Sequence, residues 1–342
     1  MRGDDIMRNI VQASVIVTFR CNARCVMCET WKYPTKVSEE LDPKYYERLP
    51  DGLRINVTGG EPMLRADIDD IFKVLYPKAS LIELSTNGFF TDKIVSIAKR
   101  YPNTLIRVSV EGLPALNDKL RGIENGFDHA LRTILELKKA KCKNIGFSVV
   151  ISDKNAGDLV NLYHLCSYLG VELANSFMHN SWYFHKTDNV IDDRGAAARA
   201  EAEFIKSLLN SNRAGVKNKL KDYARAYFNK SILGKFTEGD HSRRPPCGAG
   251  KDFFFVDPLG NVSPCNGSEE QWIIGNLKES SFKDIMDSEK AREAYQKIGS
   301  CKRNCCFVVT ERHDMVRRPW EPICWIVRNK FRLAFNIPVD FS

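Results

Sequence analysis

Apolar positions along the chain switch repeatedly between two periods. β-branched runs that read as strands fall at 14–19, 53–57, 81–84, 105–110, 144–151 and 172–178. Stretches with helical spacing lie between them, at 43–48, 66–75, 92–101, 127–140 and 156–169. Strand and helix in strict alternation predict a parallel sheet covered by helices. Right-handed crossovers curl such a sheet into a partial (β/α)6, TIM-like barrel. The fold class expected is α/β.

Polar residues punctuate this pattern in register. Thr58-Gly59-Gly60-Glu61-Pro62 follows the second run, Ser85-Thr86-Asn87-Gly88 the third, and Ser109 with Glu111-Gly112 closes the fourth. In a parallel barrel the carboxyl ends of strands gather on one face, where ligands bind. A turn that merely ends a strand explains one such motif more easily than several in register.

Beyond 190 the alternation stops. Two helices rich in Ala, Lys and Glu are expected at 194–209 and 216–233, then a polar, basic connector at 237–246 broken by Arg243-Arg244-Pro245-Pro246. The organisation predicted is a lead-in at 1–13, the barrel at 14–190, a helical connector at 191–246 and a small α+β domain at 247–342. No internal repeat or low-complexity segment is evident.

Composition narrows the class. The chain has 342 residues, 43% of them hydrophobic, enough for a sizeable core without covalent staples. The net charge of +8, from 51 basic and 43 acidic residues, permits an anionic partner without demanding one. Nucleic-acid binding would call for a denser basic and aromatic surface, so none is expected. The first residues carry two acids and no long apolar region, unlike a signal peptide, and no stretch is long enough to span a bilayer. The expected location is the cytoplasm, where eleven cysteines stay reduced and clustered spacings read as metal sites.

Three of those cysteines, Cys21, Cys25 and Cys28, lie within eight residues, spaced Cys-x3-Cys-x2-Cys directly after the first strand. Thiolates this close on one loop suit a shared metal centre. Zinc would want a fourth ligand, and none lies near in sequence. An iron–sulfur cube also takes four cysteines when complete; three leave one iron open. Three unrelated buried thiols, or a half-made zinc knuckle, are the plainer alternatives.

The spacing, with Gly-Gly-Glu-Pro after the second strand, closely resembles the radical S-adenosylmethionine (SAM) enzymes. The resemblance implies a 4Fe–4S cluster on Cys21, Cys25 and Cys28 with SAM on the open iron. Met27 matches the position that touches the adenine. Gly59 and Gly60 let the backbone approach a ligand, Glu61 accepts from the SAM ammonium or from the loop that holds it, and Pro62 stiffens the turn. Ser85, Thr86 and Asn87 match contacts to the SAM carboxylate or ribose, Ser109 matches a ribose contact, and Asn155 is a softer candidate. The implied chemistry is reductive cleavage of SAM to a 5′-deoxyadenosyl radical that takes a hydrogen atom from the substrate. Such chemistry depends on positioning and shielding. An electron donor such as flavodoxin or ferredoxin is implied.

A second set of thiols begins at Cys247. An aromatic strand at 253–256 and a turn at 257–261 separate it from Cys265, and Cys301, Cys305 and Cys306 follow a helix expected at 281–298. This resembles the C-terminal extension called SPASM in its full form and twitch in its shorter one. The later cysteines depart from the full spacing, so the shorter form is expected, with one auxiliary 4Fe–4S cluster on Cys247, Cys265, Cys301 and Cys305 and with Cys306 as substitute. A zinc ribbon is the alternative. Such a cluster would take an electron from a substrate radical, bind substrate or relay electrons inward. Cys142 and Cys166 stand alone and read as structural. Cys324 reads as a buried thiol, a hydrogen-atom donor or a distant ligand.

The substrate is less legible. Peptide-modifying relatives commonly carry a leader-recognition domain ahead of the barrel, and the stretch before the first strand is too short for one. The expected substrate is therefore a small polyhydroxylated or glycan-type molecule, undergoing oxidation or epimerisation. A radical SAM maturase acting on a ribosomal peptide is the alternative, and an iron–sulfur scaffold or redox protein the non-enzymatic one. The aromatic and polar loop at 179–185 is placed to line the substrate mouth; Tyr183, with Cys324, is a weak catalytic candidate, and His179 a candidate for substrate hydroxyls. The segment 317–335 mixes Trp and Phe with Arg and Lys, as an interfacial helix on anionic lipid does, or a helix packed on the barrel with its basic edge in solvent.

Overall fold

The computed structural model describes residues 10–238, 247–303 and 305–341. Most of the expected connector at 237–246, with its Arg-Arg-Pro-Pro breaker, lies outside the described residues, as do residues 1–9 of the lead-in.

Strand β1 (Gln12–Ile16) leads into the cysteine loop and two 3-10 turns, Thr30–Lys32 and Pro43–Arg48. Then come β2 (Arg54–Thr58) with α1 (Ile68–Lys78), β3 (Leu81–Thr86) with α2 (Thr91–Arg100), and β4 (Leu105–Ser109) with α3 (Pro114–Arg121) and α4 (Gly126–Lys139). Next are β5 (Ile145–Ile151), α5 (Leu159–Leu169) and β6 (Glu172–Phe177), followed by α6 (Arg194–Leu209) and α7 (Val216–Thr237). The remainder holds β7 (Phe253–Val256), β8 (Asn261–Ser263), β9 (Gly275–Asn276), α8 (Phe282–Asp287), α9 (Glu289–Gly299), α10 (Val308–Arg317) and α11 (Trp320–Ala334).

Two compact units share these elements. The first takes the described residues of Met1–Ser148, His179–Asn189 and Pro246–Cys301. Its sheet runs β5-β4-β3-β2-β1-β7-β8-β9. Neighbours from β1 to β5 are parallel. Ile16, Ile55, Val57, Leu84, Ile106, Val108 and Phe147 are fully buried along it, as expected of a sheet covered on both faces. The covering helices are amphipathic: α1 buries Ile68, Ile71, Phe72 and Leu75, a single stripe at helical spacing.

Strand β7 joins this sheet in parallel with β1, Gln12 opposite Phe253 and Val15 opposite Val256. Sequence reasoning placed this strand in a separate C-terminal domain. All four residues of β7 are buried, so they need cover that a short hairpin alone does not provide. Phe254 packs on Phe282 of α8 with ring centroids 4.6 Å apart. The single helix expected at 281–298 is two. Ser288, in extended conformation, ends α8, and its hydroxyl caps α9 by accepting from the Ala291 amide.

Helix α3 was not expected. Its buried residues are Asn117, Leu120 and Arg121, two of them polar, so no apolar stripe announces it. Its limits follow from Pro114 in the first turn and Gly122 in left-handed conformation at the end.

The second unit takes the described residues of Val149–Met178, Val190–Pro245 and Lys302–Ser342. Helices α6 and α7 bury Phe204, Ile205, Leu208, Ile232, Leu233 and Phe236. A polar knot ties the unit together: Asp222 accepts from Tyr163, Ser211 and Arg213. Among the described residues no helix is long and apolar enough to cross a membrane.

Phe254→Ala is expected to destabilise the protein by about 3–5 kcal/mol, the usual range for deleting a core aromatic. Denaturant unfolding of the cluster-free chain measures this; a loss near zero would mean that β7 is peripheral.

Candidate active site

The cysteine loop has little regular structure of its own. Cys21, Cys25 and Cys28 follow β1, and none of the eleven cysteines is in a disulfide. Burial pushes the Cys21 thiol up to about 12 and Cys25 to about 11, and raises Cys28 as well. Each also lies in a neighbour's field: the Cys25 charge raises Cys21, and the Cys28 charge raises Cys25. The Ala23 amide donates to the Cys21 sulfur at 3.4 Å, and the Thr30 hydroxyl shares a hydrogen bond with the Cys28 sulfur at 2.9 Å. Among the described residues no three His, Cys, Asp or Glu side chains form a group that could hold a single metal ion. A cube of four irons spreads its thiolates farther apart than one ion does.

Neighbouring elements supply what the loop lacks. The amides of Arg24 and Val26 donate to the carbonyls of Arg121 and Leu120, each at 2.9 Å, so the last turn of α3 runs along the loop. A Cβ on Gly122 would lie 2.5 Å from the Arg24 carbonyl oxygen, which explains glycine there. The buried Arg121 guanidinium pairs with Glu111 at 2.9 Å. Its charge works against the burial of Cys21 and Cys25. Its Nε is buried with no partner in the protein. Sequence reasoning missed Arg121; its only signal was a basic residue one position before a glycine.

The strand-end motifs act mainly on the chain. The amides of Gly60 and Glu61 donate to the carbonyls of Thr18 and Arg20 at 2.8 Å. A Cβ on Gly59 would lie 2.6 Å from the Thr18 oxygen, and one on Gly60 2.3 Å from the Arg20 oxygen. These glycines therefore permit backbone to meet backbone at the mouth of β1, where close approach to a ligand was expected. Glu61 is fully buried and accepts from the Met63 amide, the Thr86 hydroxyl and the Asn87 amide. Of its two expected roles, holding the loop is the one these bonds display. Pro62 opens a 3-10 turn, Pro62–Leu64.

Asn87 donates to the Asn22 side chain at 2.7 Å, joining the end of β3 to the cysteine loop. Ser85 donates to Asn56. Ser109 ends β4 opposite Ser148, half-buried. Met27 is buried, and its carbonyl accepts from Asn189 at 3.1 Å. Asn155 belongs to the second unit. Its amide closes its own loop by donating to the Val150 carbonyl and accepting from the Ser152 amide. Below the mouth, Glu40 accepts from Thr35 at 2.8 Å and from the Thr18 hydroxyl, and pairs with Arg20 and Arg65.

The loop at 179–189 is fastened to both cysteine segments of the first unit. Tyr183 is buried, and its hydroxyl donates to the Gly59 carbonyl at 2.9 Å. The Glu29 amide donates to the Phe184 carbonyl at 2.8 Å. On the other side, the Trp182 indole donates to the Cys265 carbonyl at 2.8 Å, and the Ser181 hydroxyl to that of Asn266. Tyr183 is thus a strut between loops, not an exposed acid or base. The His179 ring lies against Phe184, centroids 5.0 Å apart.

Cys247, Cys265 and Cys301 belong to the first unit. Burial pushes Cys265 up to about 11, and the charges of Cys247 and Cys301 raise it further. Cys305 and Cys306 fall in the second unit, where the buried Cys306 thiol donates to the Ser231 carbonyl at 3.4 Å. Cys324 is exposed on α11, which corrects its reading as a buried thiol; Cys166 is buried.

Known families match both cysteine regions. The radical SAM superfamily matches residues 15–166, and an iron–sulfur cluster-binding domain, SPASM, matches residues 247–307. The chain is a radical SAM enzyme with a C-terminal SPASM domain. It is 29% identical to Fe-coproporphyrin III synthase of Methanosarcina barkeri over 156 residues, 44% of this chain and 39% of that one. It is 25% identical to the mycofactocin maturase MftC of Mycolicibacterium smegmatis over 298 residues, 83% of this chain and 73% of that one. Among solved structures it shares its fold with Streptococcus suis SuiB bound to the precursor peptide SuiA, with TM-score 0.62 and 15% identity over 85% of this chain and 67% of that one.

The cofactors of this radical SAM enzyme are a SAM-binding 4Fe–4S cluster, SAM and auxiliary iron–sulfur chemistry. Its residues fit them. Three half-buried, unbridged thiols whose proton affinity is raised need a cationic centre to become thiolates, and Arg121 leaves an unspent donor in the same surroundings.

Gly60→Ala of the radical SAM enzyme is expected to push the turn off β1 and to cut iron bound per chain after reconstitution several-fold. Gly52→Ala is the control at a glycine with open space for a Cβ. Arg121→Gln breaks the buried Arg121–Glu111 ion pair, at an expected cost of about 3–5 kcal/mol in the cluster-free chain by denaturant unfolding. Arg121→Lys is expected to recover part of that loss.

Proposed function

We propose that this radical SAM enzyme modifies a peptide. The observation that carries the reading is the similarity to MftC, a maturase, which extends over 83% of this chain. The fold shared with SuiB, solved with its precursor peptide, supports the same substrate class. This reverses the order favoured from sequence, where a glycan-type substrate came first. The similarity to Fe-coproporphyrin III synthase favours a second reading, a tetrapyrrole substrate.

In this proposal Cys21, Cys25 and Cys28 hold the SAM-binding cluster, and Cys247, Cys265 and Cys301 contribute to auxiliary ligation. The bound cluster and SAM supply reductive SAM cleavage and hydrogen-atom abstraction. The chain's own residues position and shield. Glu61 and Asn87 fix the strand ends around the cysteine loop, Met27 and Ser109 face SAM, and Tyr183 holds the Gly59 carbonyl in place. Trp182 and Tyr183 couple the Cys265 segment to the SAM-binding mouth through one short loop. That coupling suits an auxiliary centre that accepts an electron from a substrate radical, with flavodoxin or ferredoxin as donor to the first.

Anaerobic enzyme, reductant and SAM are expected to yield 5′-deoxyadenosine, and the Cys21→Ala/Cys25→Ala/Cys28→Ala variant none. With deuterated peptides, coproporphyrin and sugars offered in turn, label is expected in 5′-deoxyadenosine from peptide alone. Label from coproporphyrin alone would move the assignment to the second reading, and label from a sugar would restore the glycan.

A further inference from the structure

Helix α11 has two apolar faces. The inner one is spent within its own unit. Pro322, Trp325 and Asn329 are buried, and Trp325 packs edge-on against Tyr227 of α7, centroids 5.6 Å apart. The Trp325 indole and the Asn329 amide both donate to the Asp340 carbonyl at 3.0 Å, and the Asp340 amide donates back to Asn329 at 2.7 Å. These bonds fix which side of the helix faces outward.

The outer face is unlike a solvated helix surface. Trp320, Ile323, Val327, Phe331 and Phe335 are 61, 57, 63, 61 and 62% exposed. Their spacing of three or four residues makes one continuous row. One exposed apolar side chain is ordinary; a contiguous row of five is a surface that something covers.

Charge identifies what. At about 100° per residue, Arg328 and Arg332 flank Val327 and Phe331 on one side of the row. Arg328 is paired with Asp340 at 3.2 Å and the Arg332 Nε donates to the Pro338 carbonyl, while Lys330 turns inward to the Leu209 carbonyl and the Tyr223 ring. Arg317 and Arg318 stand at the N-terminal end of α11. Glu321, the one carboxylate in α11, is paired with Arg318 at 3.3 Å. An open cavity of about 350 Å³ borders the row, lined by Tyr227, Lys230, Glu321, Cys324, Trp325 and Arg328. Lys230, Arg328 and Glu321 face it, Arg328 also pairing with Asp340 at its edge, so Lys230 and the outer N–H groups of Arg328 are what a phosphate would meet. A second copy of the chain would press these basic margins against their own like. A surface of phosphate headgroups over hydrocarbon complements both the row and its margins.

We propose that the outer face of α11 docks the protein on an anionic lipid bilayer, with Trp320, Ile323, Val327, Phe331 and Phe335 entering the interface and the Lys230–Arg328 recess receiving headgroup phosphate. The depth is that of an interfacial helix, about 5–10 Å.

The test is flotation of the full chain, clusters reconstituted, with vesicles of phosphatidylcholine alone or containing about a third phosphatidylglycerol. Binding to the anionic vesicles is expected to exceed binding to the neutral ones by more than about tenfold, since each basic side chain near the surface adds to attraction. Raising salt is expected to weaken it. Val327→Asp/Phe331→Asp is expected to abolish it with an unchanged circular dichroism spectrum, and Ile323→Ser to reduce it several-fold. No flotation with anionic vesicles at low salt, equal flotation with neutral ones, or full flotation of the double variant would each overturn the proposal. So would a native dimer that the double variant converts to monomer, which would show that a second copy covers the row. None of these outcomes depends on which substrate is modified.

Discussion

The loop from Cys21 to Cys28 has few backbone hydrogen bonds of its own, and buried amides and carbonyls cannot go unpaired cheaply. Its partners come from three distant places. The end of α3 takes the amides of Arg24 and Val26, the amides of Gly60 and Glu61 donate to the carbonyls of Thr18 and Arg20 at its entrance, and the loop at 179–189 closes over Met27 and Glu29. Each needs close approach, so glycine stands at 59, 60 and 122, where any side chain would strike a carbonyl. The need to complete this loop accounts for much of what surrounds it.

The same need explains the charges buried there. Three half-buried thiols grouped on one loop resist ionisation by desolvation, and Cys21 and Cys25 also by a neighbouring thiol's charge. Arg121 offsets part of that cost, and Glu111 keeps the guanidinium from being an unpaired buried cation. Glu61 is spent on three hydrogen bonds that join the ends of β2 and β3. The polar residues nearest the thiols thus serve largely to hold one another, which suits chemistry that depends on positioning and exclusion of water.

The two cysteine regions meet the same sheet. β1 leads to the first, and β7, which runs beside it, leads toward Cys265. Trp182 and Tyr183, adjacent in sequence, bond to the Cys265 carbonyl and the Gly59 carbonyl respectively. The two cysteine segments are thus tied to neighbouring residues of one short loop. The second unit carries different business: a helical pair on which α11 is seated, with its outer apolar row turned away.

The sequence by itself determined the elements whose cause is local. Strands β1 to β6 lie close to their expected places because apolar β-branched runs write them plainly, and α6 falls at 194–209 as expected. The cysteine spacing pointed to the chemistry through its resemblance to the radical SAM motif. Tertiary structure decided what depends on distant partners. Helix α3 buries Asn117 and Arg121, which no hydrophobic period reveals. Tyr183 was expected to line a substrate mouth and Glu61 to accept from SAM or from the loop that holds it; which chain atoms they bond, 124 and 25–26 positions away, no local pattern states. Strand β7, inside the SPASM match, pairs with β1 at the far end of the chain, which no local pattern announces. A pattern of residue types records which face is buried; which carbonyl a buried hydroxyl will find is settled only when the strands are side by side.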